Sequence, residues 1–153
     1  MKSTLLSAIF VALVIAFPLP LSASLGGDVT SVHSDQAKME GVLRTTANDT
    51  FTVHEIQAPT GAGMKEYVSP AGKVFAVSWH GAFPPDLRQL LGVYFDQYTQ
   101  AVQAQRSARR GHGPLLIQQP GLVIQVGGHL RSFSGKAYVP QLLPAGVSAK
   151  DLQ

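Results

Sequence analysis

The fold of this chain is organised around residues 67–81, which read YVSPAGKVFAVSWHG and include Trp79, the single tryptophan. Residues 69–72, Ser-Pro-Ala-Gly, predict a tight turn, because proline presets φ at the second position and glycine accepts a positive φ. We therefore expect a hairpin whose second arm alternates between two faces of a sheet. The core face should hold Phe75, Val77 and Trp79. The opposite face should hold Val74, Ala76, Ser78 and His80.

Short strands are predicted before this hairpin, at residues 42–46 and 50–57, and residues 64–68 form its first arm. The connecting turns are too short for a parallel crossover, so the strands should form an antiparallel meander. Upstream of them, residues 34–41 predict a short helix. Ser34 is expected to cap its start and Gly41 to close its end.

Beyond the hairpin, apolar side chains recur at spacings of three and four, which indicates an amphipathic helix that begins at Asp86. The apolar stripe consists of Leu87, Leu90, Leu91, Tyr94, Phe95, Tyr98, Ala101 and Val102. Gly92 interrupts the pattern and marks either a bend or a close contact with the sheet, of which we favour the close contact. Residues 105–114 predict a flexible loop.

Four further strands are predicted at residues 115–118, 122–126, 129–134 and 136–139, with turns at residues 127–128 and 134–135. The predicted fold class is α+β. It consists of an antiparallel β-meander sheet with one main amphipathic helix packed on a face and a short N-terminal helix.

Residues 1–24 have the features of a secretory signal peptide: Lys2, an apolar run over residues 5–17, and small residues ending at Ser24. The apolar run is shorter than the roughly 20 residues that a membrane-spanning helix needs. We therefore expect cleavage after Ser24, with the bond after Ala23 as the alternative, a periplasmic or secreted location, and no stable membrane span afterwards. Residues 25–153 should form a single exported globular domain.

Charge and composition exclude some classes of function. Leaving out Lys2 lowers the formal net charge from +3 to +2, and the basic residues cluster only at Arg106, Arg109 and Arg110. Nucleic-acid binding normally requires a broad basic face, so no nucleic-acid partner is expected. The chain has no cysteine, which excludes disulfides and a lipid-modified cysteine.

Several motifs together resemble an exported bacterial family, domain of unknown function 2844. They are residues 25–28 (LGGD), 53–55 (VHE), 66–72 (EYVSPAG), 74–77 (VFAV), 85–92 (PDLRQLLG) and 135–140 (GKAYVP). The resemblance covers nearly all of residues 25–153 and implies export and a single domain. It carries over no activity, cofactor or catalytic residue.

The residues that could support catalysis or metal binding do not form a recognisable motif. No two of the five histidines have the spacing of a zinc-binding pair, so a metal site would have to be assembled across strands, for instance from His54, Glu55 and His80. Neither a metal nor a cofactor is expected. Ser69 lacks the nucleophile elbow of a serine hydrolase, and Pro70 removes a backbone donor that an oxyanion would need. Glu55 and Glu66 could pair for glycoside cleavage, but we interpret them as exposed strand charges.

Aromatic residues concentrate between the hairpin and the helix, where they form either plain core or the lining of a cleft. The candidate ligand-binding residues are Tyr67, Trp79, His80 and His54. The sequence favours a non-enzymatic binding or accessory protein whose partner is a small ligand or another exported envelope protein. The alternative is a hydrolase-type enzyme with a cleft between sheet and helix.

The exported form of the protein should begin at Leu25, because Ser22 and Ser24 occupy the two small-residue positions before the cleavage site. Intact-mass spectrometry of the exported protein measures this directly. A mature form that keeps residues 1–17 in the membrane fraction would contradict the prediction.

Overall fold

A computed structural model of the protein describes residues 25–106 and 113–153. These residues form a seven-stranded antiparallel sheet in the order β1-β2-β3-β4-β7-β6-β5. The strands are β1 (Val42–Ala47), β2 (Thr52–Gln57), β3 (Gly63–Val68), β4 (Val74–Gly81), β5 (Leu115–Gln119), β6 (Leu122–His129) and β7 (Ser132–Tyr138). Two meanders, β1–β4 and β5–β7, therefore join where β4 pairs with β7.

The helices pack on one face of this sheet and confirm the predicted α+β class. A short helix, α1 (Thr30–Met39), precedes the strands. The main helical segment consists of α2 (Leu87–Leu91), a 3₁₀ turn (Gly92–Tyr94) and α3 (Phe95–Arg106). Asp86 caps its start by accepting hydrogen bonds from the backbone N–H groups of Arg88 and Gln89 at 2.9 and 3.2 Å. The loop predicted over residues 105–114 lies largely outside the described residues.

Gly92 bends the main helical segment. Its φ of 51° and ψ of −121° are not helical, and they separate α2 from α3. Glycine tolerates this positive φ because it has no Cβ. The bend, rather than the favoured close contact with the sheet, explains glycine at this position.

Helix α1 differs from its prediction at both ends. It begins at Thr30, and no side chain caps it, so Ser34 lies inside the helix. Its left-handed closing residue is Glu40, with φ of 49°, rather than Gly41. Gly41 is instead required by packing, since a Cβ there would lie 2.6 Å from Cγ2 of Ile56.

The hairpin turn is confirmed, but its second arm contains a β-bulge. Gly72 has φ of 76° and donates its N–H to the Ser69 carbonyl at 2.8 Å. Tyr67 pairs with Ala76 while Val68 pairs with Val74, so β4 has one extra residue at this point. Phe75 therefore lies on the same face as Ala76, and Val74 joins Val77 and Trp79 on the other. The predicted faces of Phe75 and Val74 were wrong because a bulge shifts the alternation.

Residues 113–153 contain three strands instead of the four predicted. The Gly127-Gly128 and Ser134-Gly135 steps lie within β6 and β7, and the connecting turn contains Arg131 with φ of 65°. Gly135 pairs directly with Trp79 of β4. A Cβ on Gly135 would lie 2.3 Å from Cζ2 of Trp79, so glycine lets the indole lie over β7.

Both faces of the sheet are covered. The helix-side core includes Trp79, Val77, Ile56, Leu91 and Ile124, all of them buried. The C-terminal residues 140–153 cross the other face, where Leu152 packs against Tyr67, Phe75 and Ala76. The Tyr67 hydroxyl donates to the Gln153 carbonyl at 2.6 Å and accepts from the Gln153 N–H at 2.9 Å. These bonds hold the C-terminal segment on the sheet.

Replacing Gly135 with alanine should destabilise the protein by about 1–3 kcal/mol, because the new methyl group collides with the indole of Trp79 and with the Gln125 carbonyl. Urea titration gives the free energy of unfolding. Gly127→Ala in the neighbouring strand is the control, since the nearest atom to its Cβ would be 3.7 Å away. Equal stabilities for the two variants would contradict the packing of Trp79 on Gly135.

Candidate functional site

A pocket of about 400 Å³ opens between helix α1, the start of α2 and one end of the sheet. Met64 and Trp79 contribute its lining from the sheet, and Met39 and Leu90 contribute apolar walls from the helices. At its rim Phe83 is 79% exposed, although it is a large apolar side chain. Pockets of this size and character commonly hold small organic ligands.

Asp35 supplies a buried carboxyl group to this pocket. It lies on α1, lines the pocket, and is only 1% exposed. Its Oδ1 accepts a hydrogen bond from Nε2 of Gln89 at 2.5 Å, while its Oδ2 has no hydrogen-bond donor among the described residues. A buried carboxyl oxygen without a donor is costly, so Asp35 requires a specific explanation.

Glu66 of β3 is the second buried acid and lies behind Asp35. Its side chain is fully buried, and neither carboxyl oxygen accepts a hydrogen bond from an N–H or hydroxyl group of the described residues. Met64 and Val68, two residues away on either side, belong to the helix-side core. Because side chains alternate along a strand, Glu66 faces that same core. Unlike Asp35, it does not line the pocket.

The two acids interact electrostatically. Burial, with the negative charge of Asp35 as the second cause, raises the pKa of Glu66 from its ordinary 4.5 to about 8. Burial also raises the pKa of Asp35, but the hydrogen bond from Gln89 and the charge of Lys38 oppose this. Glu66 therefore keeps its proton at neutral pH, and the charge that opposes its ionisation lies on Asp35.

The structure separates the four predicted ligand-binding residues. Trp79 and His80 both line the pocket. His80 is exposed at the end of β4, whereas Trp79 is buried. Tyr67 is buried on the opposite face of the sheet, where it bonds Gln153. Only Trp79 and His80 are therefore placed to contact a ligand in this pocket.

His54 lies near the acid pair without lining the pocket. It is directly opposite Glu66 in the pairing of β2 with β3, and its Nδ1 lies 3.1 Å from the Thr45 hydroxyl. Partial burial lowers its pKa, and the charge of His33 on α1 lowers it further. A histidine in this position favours the neutral form.

The acid pair and the role of Gln89 were not predicted from the sequence. Glu66 was interpreted as an exposed strand charge, and this was wrong because it faces the helix-side core. The available signal was its place between Met64 and Val68 at a period of two, where an apolar residue is expected. No sequence signal indicated that Asp35, on another element, would approach it.

A second cavity of about 420 Å³ borders the C-terminal segment and includes Ser78, Lys136 and Gln153. Lys136 donates hydrogen bonds to the carbonyls of Ala149 and Leu152 at 2.9 and 3.1 Å. Ser78 donates to the Gln153 carbonyl at 3.2 Å. These polar groups hold the segment in place, so the pocket beside Asp35 is the stronger candidate site.

Across residues 25–106 and 113–153, no three His, Asp or Glu side chains are grouped so that they could hold a metal ion. No helix there has the length and apolar character to cross a membrane.

The fold and the site thus define an α+β protein with a small apolar pocket beside a pair of buried acids. The chain belongs to the family described as "Protein of unknown function (DUF2844)", whose model matches residues 21–152. Comparisons with curated proteins and with solved structures gave no match.

The stability of the protein should fall as pH rises from about 4.5 to about 8, owing to Glu66. Over this range the native state keeps a proton that the unfolded state has lost, so the native state binds more protons. The slope is at most about 1.4 kcal/mol per pH unit for one proton. Glu66→Gln should remove this contribution, which urea titrations at several pH values measure as a difference from the wild type.

The matched control is Glu55→Gln on the adjacent strand, where Glu55 pairs with Lys65. It should keep the pH dependence of the wild type. His54 acts in the opposite direction, because its lowered pKa makes stability fall on acidification, but both variants retain it. A Glu66→Gln profile parallel to that of the wild type would contradict a proton on Glu66.

Proposed function

We propose that this protein is an exported, non-enzymatic binding protein that holds a small, mainly apolar ligand in the pocket beside Asp35. The pocket itself is the observation that carries the proposal. Its lining is mostly apolar, it is large enough for a small organic molecule, and the exposed ring of Phe83 stands at its rim. The apolar walls would provide affinity, and the Asp35–Gln89 pair would orient the ligand.

Export is part of the proposal and depends on residues 1–24. Their charged start, apolar run and small residues near Ser24 are typical of a signal peptide. The location would be periplasmic or secreted, and the ligand would be encountered outside the cytoplasm.

A hydrolase is the second candidate, and the acid pair favours it. Two carboxyl groups whose environments separate their pKa values can act as general acid and general base. However, a catalytic group must reach the substrate directly or through one water, and only Asp35 of the two lines the pocket. This asymmetry favours binding over catalysis.

Binding can be followed through Trp79, which is the single tryptophan and lines the pocket. Titration with the neutral apolar dye Nile red should quench its fluorescence in a saturable way with one site. Ala62→Phe places a bulky ring in the pocket. It should lower the affinity for the dye at least about tenfold, which corresponds to about 1.4 kcal/mol.

Leu130→Ala is the control, because Leu130 is an exposed apolar residue that does not line the pocket. Dye binding that is absent, or that is equal in all three proteins, would refute the proposed site. Turnover of nitrophenyl esters that disappears in Asp35→Asn would establish the hydrolase instead.

A further inference from the structure

We propose that the pocket selects ligands that carry a protonated amine on an apolar body, with the ammonium group beside Asp35. This inference rests on the proposed binding function and adds the chemical class of the ligand. Its geometric basis is a carboxyl group that lines an apolar pocket, is 1% exposed, and has one oxygen without a donor among the described residues.

The charge around Asp35 lacks a direct counterion. Asp35 carries a negative charge that raises the pKa of the neighbouring Glu66, and Gln89, which donates to Asp35, is neutral. Among the described residues, no Lys, Arg or His nitrogen lies within 4.0 Å of the Asp35 carboxylate. A buried charge without a partner is unfavourable, so a ligand cation would improve the electrostatics of the folded protein.

Lys38 is the nearest rival for this role. It also lines the pocket, and its charge lowers the pKa of Asp35. However, its side chain is exposed and forms no ion pair with Asp35. The position beside the carboxylate is therefore open to a cation from a ligand.

The aromatic residues of the pocket suit the same class of ligand. Trp79 lines it from the sheet, and Phe83 lines it from the rim. Aromatic faces attract cations and also pack against apolar groups. An anionic ligand would meet the charge of Asp35, and a neutral ligand would leave that charge uncompensated.

The test compares three ligands of one shape, phenylbutylamine, phenylbutanol and phenylbutyrate, by titration of Trp79 fluorescence at pH 7. The amine should bind about tenfold more tightly than the alcohol, because a hydrogen bond to a charged group is stronger than a neutral one. The carboxylate should bind most weakly. Asp35→Asn preserves the shape of the side chain and should bring the amine and the alcohol to within about twofold of each other.

Asp49→Asn is the matched control, since it removes the same charge from an exposed turn outside the pocket, and it should keep the preference for the amine. Binding of phenylbutanol by Asp35→Asn reports that the pocket remains folded. If Asp35→Asn does not fold, the order of the three affinities for the wild-type protein tests the proposed ligand class. Alcohol binding without an amine preference overturns the ligand class alone, and binding of none of the three overturns the proposed function as well.

Discussion

The indole of Trp79 lies over Gly135, and this contact constrains the centre of the sheet. A β-carbon at position 135 would lie 2.3 Å from the ring, so the position of the indole over β7 requires glycine. His80, the next residue, makes a similar demand on the other neighbour of β4, because a Cβ on Gly63 would lie 2.2 Å from its imidazole. Strand β4 therefore joins the two meanders through two ring–glycine contacts. The indole of Trp79 packs on Gly135 of β7, and the imidazole of His80 packs on Gly63 of β3. With no disulfide to support it, the fold depends on this packing.

Trp79 belongs to the helix-side core and also lines the pocket. The same region contains two buried acids, which are unfavourable for stability. Asp35 and Glu66 bring two carboxyl groups into a region that is otherwise apolar. Replacing buried ionisable groups by well-packed apolar residues is often neutral or stabilising. Stabilisation of the fold therefore does not explain why Asp35 and Glu66 are present. Features that break the rules of core packing tend to occur at functional sites. The position of Asp35 at the pocket wall is consistent with such a site.

The sequence predicted the regular parts of this fold well, because their signals are local. The Ser-Pro-Ala-Gly turn, the helix that begins after Asp86, and the antiparallel order of the first four strands follow from turn chemistry and periodicity. The faces of Phe75 and Val74 could not be predicted, since a bulge depends on how the partner strand pairs. Gly135 was predicted to be a turn residue. Glycine is required there because the indole of Trp79, which is distant in sequence, packs against it. The acid pair was not predicted for a similar reason, because its members lie on different elements. The position of Glu66 between the core residues Met64 and Val68 did indicate that it faces the core.

The strand order also has a consequence for how the chain folds. Within β1 to β4, and within β5 to β7, each strand pairs with the next one in sequence. Pairing of β4 with β7 is the one non-local step in the sheet formed by the described residues. Non-local pairing is slow because closing the loop between distant strands costs conformational entropy, so this step should limit the folding rate. Before it occurs, both β4 and β7 present open edges. Two copies at high concentration would then exchange their β5–β7 units, which makes strand-swapped dimers the expected product of failed folding.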